Sequence, residues 1–216
     1  MEGQGHLFVF EGADGVGKSR RCRETAAFLQ RMGVSHESFA FPGKQAGSLG
    51  FLVQTLQVRP EEFGLTPLSA VSVQALQIAV QLEVLERHIV PRLKKGHCVL
   101  IDRFWWSSWV YGTEMGANPK VLDALIEAGR LAWSNARPSA VFLIQRDRPL
   151  RVEQSPERFG ALSTLYQKLA SQESQAYPVY VISNGDFASA QQRIQNVVRK
   201  ALNRQPGARN CEISRS

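Results

Sequence analysis

Cysteine is scarce. Cys22, Cys98 and Cys211 are odd in number and widely spaced, which excludes a disulfide framework and shows no metal-ligand spacing. Such use fits a reducing compartment, and a cytoplasmic location is the expectation. Long hydrophobic runs are missing too: no stretch of 18 apolar residues exists, so no membrane span is expected. Met1 to Gly5 lacks a charged leader and an apolar core, so no secretory signal is expected. Despite a net charge of +7, no run of five basic residues occurs. A nucleic-acid partner is therefore open but not favoured, and the basic balance suits small anionic ligands or a merely soluble surface. Repeats and compositional breaks are absent. That leaves one domain over 1–203 and a polar tail over 204–216, containing Pro206-Gly207 and expected to be disordered.

What is present is concentrated near the start. Gly12-Ala13-Asp14-Gly15-Val16-Gly17-Lys18-Ser19 fits the phosphate-binding pattern G-x-x-x-x-G-K-[ST]. The apolar run Leu7–Phe10 precedes it and a helical stretch from Lys18 to Met32 follows, the context the motif requires. A glycine-rich loop turns backbone N–H groups toward a polyphosphate, and the helix adds its positive end. In this pattern Lys18 reaches the outer phosphates of ATP and the Ser19 hydroxyl ligates Mg²⁺. A glycine-rich turn that only caps a helix is the plainer alternative.

Apolar runs at Leu7–Phe10, Val34–Phe41, Cys98–Ile101, Ala140–Ile144 and Val179–Ile182 read as strands. Helical stretches lie between them at Ser69–Lys94, Val121–Trp133, Leu162–Gln175 and Ala188–Leu202, with Pro91 placed to kink or divide the longest. This alternation predicts an α/β fold, a five-stranded parallel sheet with helices on both faces. Ligands of such sheets sit beyond the carboxyl ends of the strands. Polar clusters stand at those ends: the loop already described, Pro42-Gly43-Lys44, Asp102-Arg103 and Arg146-Asp147-Arg148. Asp102 can hold Mg²⁺ directly or through water, and Arg103 can grip a phosphate with two parallel hydrogen bonds. The pair could instead be a local ion pair at a strand end. Glu11, before the loop, suits a buried structural contact as well as a catalytic one.

Phe10-Glu11-Gly12-Ala13-Asp14-Gly15-Val16-Gly17-Lys18-Ser19, Phe41-Pro42-Gly43-Lys44 and Leu100-Ile101-Asp102-Arg103-Phe104, continuing into Ser107 and Tyr111, together resemble the thymidylate kinase family of P-loop nucleoside monophosphate kinases. Glu157-Arg158-Phe159 with Leu165-Tyr166 adds a weaker match, and the likeness spans about residues 6–202. The resemblance implies ATP-dependent phosphorylation of a deoxynucleoside monophosphate, dTMP foremost, by a homodimer. It implies that Asp14 contacts the acceptor sugar hydroxyl. It also puts Arg103, Lys44, Phe41, Ser107 and Tyr111 around the acceptor. One branch of the family carries an arginine in the loop where this chain has Gly15, so a mobile lid over about 146–160 must supply the charge. Arg158 fits that role best, with Arg148 and Arg151 as alternatives.

The base site departs from the family. Where thymidylate kinases typically have Phe-x-x-x-Arg before the third strand, the matching positions are Gln77 and Gln81. Their spacing puts both on one helix face, where the amides could read a base edge or merely form a polar surface. Trp105, Trp106 and Trp109 could supply a stacking platform or simply pack the core. Two other functions stay open: a kinase for another or modified nucleotide or a DNA-borne base, and a non-catalytic ATP-dependent switch.

Overall fold

A computed structural model describes residues 5–43, 45–150 and 155–203. Lys44, Arg151 and the tail expected over 204–216 lie outside them. At the centre is β1 (Leu7–Glu11), an unbroken apolar run closed by one glutamate and buried at every position. The other strands are β2 (His36–Ala40), β3 (Cys98–Asp102), β4 (Ala140–Gln145) and β5 (Val179–Ser183). All pair in parallel in the order β2-β3-β1-β4-β5. The α/β sheet read from the sequence is therefore present. The register sets Phe10 beside both Asp102 and Phe142, so the segments leaving β1 and β3 emerge side by side at one edge.

The strands match expectation to within a residue except β2, which starts at His36 rather than Val34. Burial on both faces holds for the three central strands; the edge strand β5 leaves Tyr180 and Val181 partly in solvent. The helices are α1 (Lys18–Arg31), α2 (Leu49–Val58), α3 (Ala70–Val84), α4 (Val90–Lys94), α5 (Trp105–Glu114), α6 (Pro119–Trp133), α7 (Pro156–Glu173) and α8 (Phe187–Leu202). No described helix is long and apolar enough to cross a membrane.

The long stretch before β3 is divided, but one turn ahead of its proline: a π turn over Leu85–Ile89 joins α3 to α4. Pro91 has no N–H to give the carbonyl four residues back, and a wider turn accommodates the loss. Two helices start earlier than their apolar periodicity suggests. Asn118 caps α6 by accepting from Lys120 N at 3.1 Å, and Ser155 caps α7 by accepting from Arg158 N at 3.4 Å, each followed by proline. The second cap sets residues 156–160, the end of the lid expected over 146–160, in the first turn of α7. The tryptophans belong to packing. Trp105 and Trp106 are core residues, Trp106 giving its indole N–H to Tyr177 Oη at 2.9 Å, while half-buried Trp109 gives its own to Asp123 at 3.2 Å.

Candidate active site

The loop between β1 and α1 is shaped by contacts that only glycine permits. Gly12 has φ +138°, and a Cβ there would lie 2.3 Å from the Ile144 carbonyl oxygen. Gly17 has φ +94°, and its Cβ would meet the Asn184 amide nitrogen at 2.6 Å. Other elements hold the loop down. Asn184 Nδ2 donates to Val16 O at 2.6 Å, Arg146 Nη1 to Asn184 O at 2.6 Å, and Leu150 N to Gly15 O at 2.9 Å. Gly17, with no side chain to cap α1, leaves the first N–H groups of that helix open to an anion. Lys18 is buried and donates to Ala13 O at 2.7 Å. Burial, then the nearby Arg103 charge, pulls its ammonium down to about 7; the carboxylates of Asp14, Asp102 and Glu11 oppose the shift.

At the metal position expected from the sequence, Ser19 Oγ donates to Asp102 Oδ2. The other carboxylate oxygen, Asp102 Oδ1, is buried and has no hydrogen-bond partner among the described residues. A buried carboxylate oxygen without a partner is costly unless a cation occupies the space beside it. A hydroxyl plus one carboxylate is the sparse oxygen set that Mg²⁺ uses when phosphates and water complete its shell. The residues therefore fit Mg²⁺.

Glu11 resolves into a structural role. It is wholly buried and accepts from Phe104 N at 2.6 Å, Ser107 N at 3.1 Å, Ser107 Oγ at 2.9 Å and Gly12 N at 3.3 Å. Burial raises its carboxyl above the ordinary range, against the pull of Arg103. Phe104, the residue before α5, offers no side-chain cap, so the β1 glutamate caps that helix from another element. This locks α5 to the loop and carries Arg103 with it. Arg103 adopts φ +80°, a left-handed backbone rare outside glycine, and gives Nη1 to Ser107 Oγ at 3.0 Å and Nη2 to Asp14 Oδ1. Tyr111 Oη donates to the other Asp14 oxygen at 2.8 Å; burial lifts that phenol to about 12, so it keeps its proton.

A cavity of about 320 Å³ opens beside this cluster. Asp14, Arg103, Ser107 and Tyr111 form one end together with Phe41 and Pro42. Helices α2 and α3 form another wall with Gln54, Gln57, Gln74, Gln77 and Gln81, and Ser108, Glu114, Met115 and Arg158 complete it. Gln77 Nε2 donates to Gln57 Oε1 at 3.0 Å, and Gln81 Nε2 to Ser108 Oγ at 3.3 Å. Arg158 reaches Glu114 with two hydrogen bonds, 2.6 Å and 3.1 Å. It therefore stands on a helix at the rim of this cavity. Sequence reasoning missed Gln54, Gln57, Gln74, Glu114 and Asn184. The only available signal was Gln74, one helical turn before Gln77. Among the described residues no tryptophan lines the cavity.

Known proteins resemble this chain over most of its length. The family model described as thymidylate kinase matches residues 10–177. A probable thymidylate kinase of Thermococcus onnurineus is 29% identical over 81% of this chain and 82% of its own length. A thymidylate kinase of Prochlorococcus marinus is 32% identical over 74% of this chain and 71% of its own. The crystal structure of thymidylate kinase from Ehrlichia chaffeensis superposes with a TM-score of 0.70 at 22% identity, covering 91% of this chain and 99% of that one, which establishes the shared fold.

Proposed function

This chain belongs to the thymidylate kinase family, and we propose that it transfers the γ-phosphoryl group of ATP to a deoxynucleoside monophosphate, dTMP, yielding ADP and dTDP. One observation carries the reading: the phosphate loop and the 320 Å³ cavity share a wall made of Asp14 and Arg103. A donor phosphate held by the loop and an acceptor phosphate gripped by Arg103 thus meet across one ion pair. A protein that only binds ATP has no use for that second grip.

Backbone N–H groups of Gly12–Ser19 and the Lys18 ammonium would hold the β- and γ-phosphates. Nucleotide phosphates restore to Lys18 the charge that burial opposes. Ser19 and Asp102 would hold Mg²⁺, which would supply positive charge against the negative charge that develops on transfer. Arg103, with Lys44, would orient the acceptor phosphate oxygen toward the γ-phosphorus, and Phe41, Ser107 and Tyr111 would line its seat. Asp14 would take the sugar hydroxyl, held ready by Tyr111. Arg158 would leave Glu114 to stabilise the transferring group, the short lid being about 146–160. Positioning and charge stabilisation carry most of such a reaction. We further propose a single kinase domain over 1–203 acting in the cytoplasm as a homodimer.

The test is turnover of dTMP by the purified chain with Mg-ATP, read as ADP release and as dTDP by phosphorus NMR. Arg103→Ala should cut kcat/KM for the acceptor by about 10²-fold or more while ATP binding persists. A loss of less than about tenfold would overturn the assignment.

A further inference from the structure

The α2–α3 wall of the acceptor cavity carries no charge. Its polar groups are the amides of Gln54, Gln57, Gln74, Gln77 and Gln81. The charged lining residues come from the loop, the end of β3, α5 and α7: Asp14, Arg103, Glu114 and Arg158. With Arg103 seating the phosphate as proposed above, the base would face the amide wall. Gln81 and Gln74 are the most buried of these amides, and Gln81 is the one paired with a hydroxyl, Gln74 giving its Nε2 to Met115 Sδ. Gln81 is 3% exposed, lines the cavity, and is bonded through Nε2 to the buried Ser108 hydroxyl at 3.3 Å; no described residue bonds its Oε1.

An amide that faces a base can present a donor or an acceptor, and half a turn about its last torsion exchanges the two. The Ser108 hydroxyl serves either orientation, because it accepts from Nε2 and can rotate to donate to Oε1. Thymine presents an acceptor at O4 and a donor at N3; cytosine presents a donor at N4 and an acceptor at N3, the same two positions inverted. A guanidinium could satisfy only the acceptors. We propose that Gln81, backed by Ser108, is a reversible reader of the pyrimidine edge, so that the acceptor site takes cytosine as well as thymine nucleotides and phosphorylates dCMP beside dTMP. This rests on the kinase reading above, yet base recognition can be measured without turnover.

A site whose buried groups fit only one pattern rejects the inverted one by about 10⁴-fold or more, because groups are left unpaired. Rotation of one amide removes that penalty. The experiment measures binding of dTMP, dCMP and dGMP by calorimetry, and kcat/KM for each with Mg-ATP. We expect dTMP over dCMP by less than about 30-fold in both, with dGMP well behind, since a cavity of 320 Å³ is near the lower bound for ligand sites. A preference for dTMP above that limit, or equal use of dGMP, overturns the inference. Equal binding of both pyrimidines with no turnover of either would sink the kinase reading and leave the base reading standing. Two variants fix the residue. Gln81→Arg, a donor only, should raise the dTMP:dCMP ratio at least about tenfold, and Gln81→Glu, an acceptor only, should lower it by a similar factor. A merely structural glutamine would move both ratios the same way or not at all, and that result removes Gln81 from the assignment.

Discussion

The two ends of the cavity, one proposed to seat the acceptor phosphate and the other to face the base, are built on different principles. At the phosphate end every charge has several partners drawn from the core. Asp14 holds Arg103 and Tyr111, Arg103 also bonds Ser107, and Glu11 beneath them takes four hydrogen bonds from the turn into α5 and the loop. At the base end, single contacts between uncharged groups tie α3 to its neighbours, Gln77 to Gln57 of α2 and Gln81 to Ser108 of α5. The first arrangement has one geometry because it rests on Glu11, which is wholly buried and whose carboxylate would be stranded by the loss of its donors. The second can rotate or exchange a partner at small cost. Phosphoryl transfer needs fixed charge, whereas base choice can drift without touching the chemistry.

That contrast is broken most severely at Lys18. Replacing it by methionine keeps the volume and removes the only ammonium inside the loop, so kcat should fall by about 10³-fold or more in the ADP-release assay, with the melting temperature little changed. Arg103→Ala should cost about 10²- to 10³-fold in kcat/KM for the acceptor, with ATP affinity kept. Arg103→Lys should recover little of it, since an ammonium cannot bond a phosphate and Asp14 in a planar fork. If either substitution is mild, the phosphate end is not the rigid half.

Glu11→Gln tests the scaffold rather than the reaction. The amide nitrogen would face N–H or O–H groups that now donate to a carboxylate oxygen, and we expect a loss of about 1–3 kcal/mol in urea unfolding. Turnover should fall less than for Arg103→Ala, because α5 can shift without losing the guanidinium.

The rigid half was also the half legible in the sequence. The pattern Gly12–Ser19 and the pair Asp102-Arg103 announced themselves because their chemistry requires particular residues next to one another in the chain. Sheet order then follows from burying short apolar runs between helices. Helix α2 escaped because Leu49–Val58 is followed at once by the turn at Pro60–Phe63, and its exposed Leu52 and Val58 obscure an apolar stripe. The starts of α6 and α7 were visible in Asn118-Pro119 and Ser155-Pro156, but apolar spacing alone placed them late. Glu114 could not be read as the partner of Arg158, because the pairing spans 44 residues and depends on where α7 packs. The amide wall is tertiary in the same sense: Gln57 and Gln77 come together only when α2 lies against α3.

The weakest perturbation sharpens the contrast best. Gln77 is half-buried, and its one hydrogen bond reaches the exposed amide of Gln57 across the helix pair. Water can replace that partner on both sides, so Gln77→Ala should change kcat/KM for dTMP by less than about threefold and stability by no more than about 0.5 kcal/mol. The bond to Ser108 makes Gln81 different, since there the replacement partner must enter a buried site. A loss of thirtyfold or more at Gln77 would mean that the amide wall acts as a connected network. The base end would then be as strictly determined as the phosphate end, with a specificity that cannot drift one residue at a time.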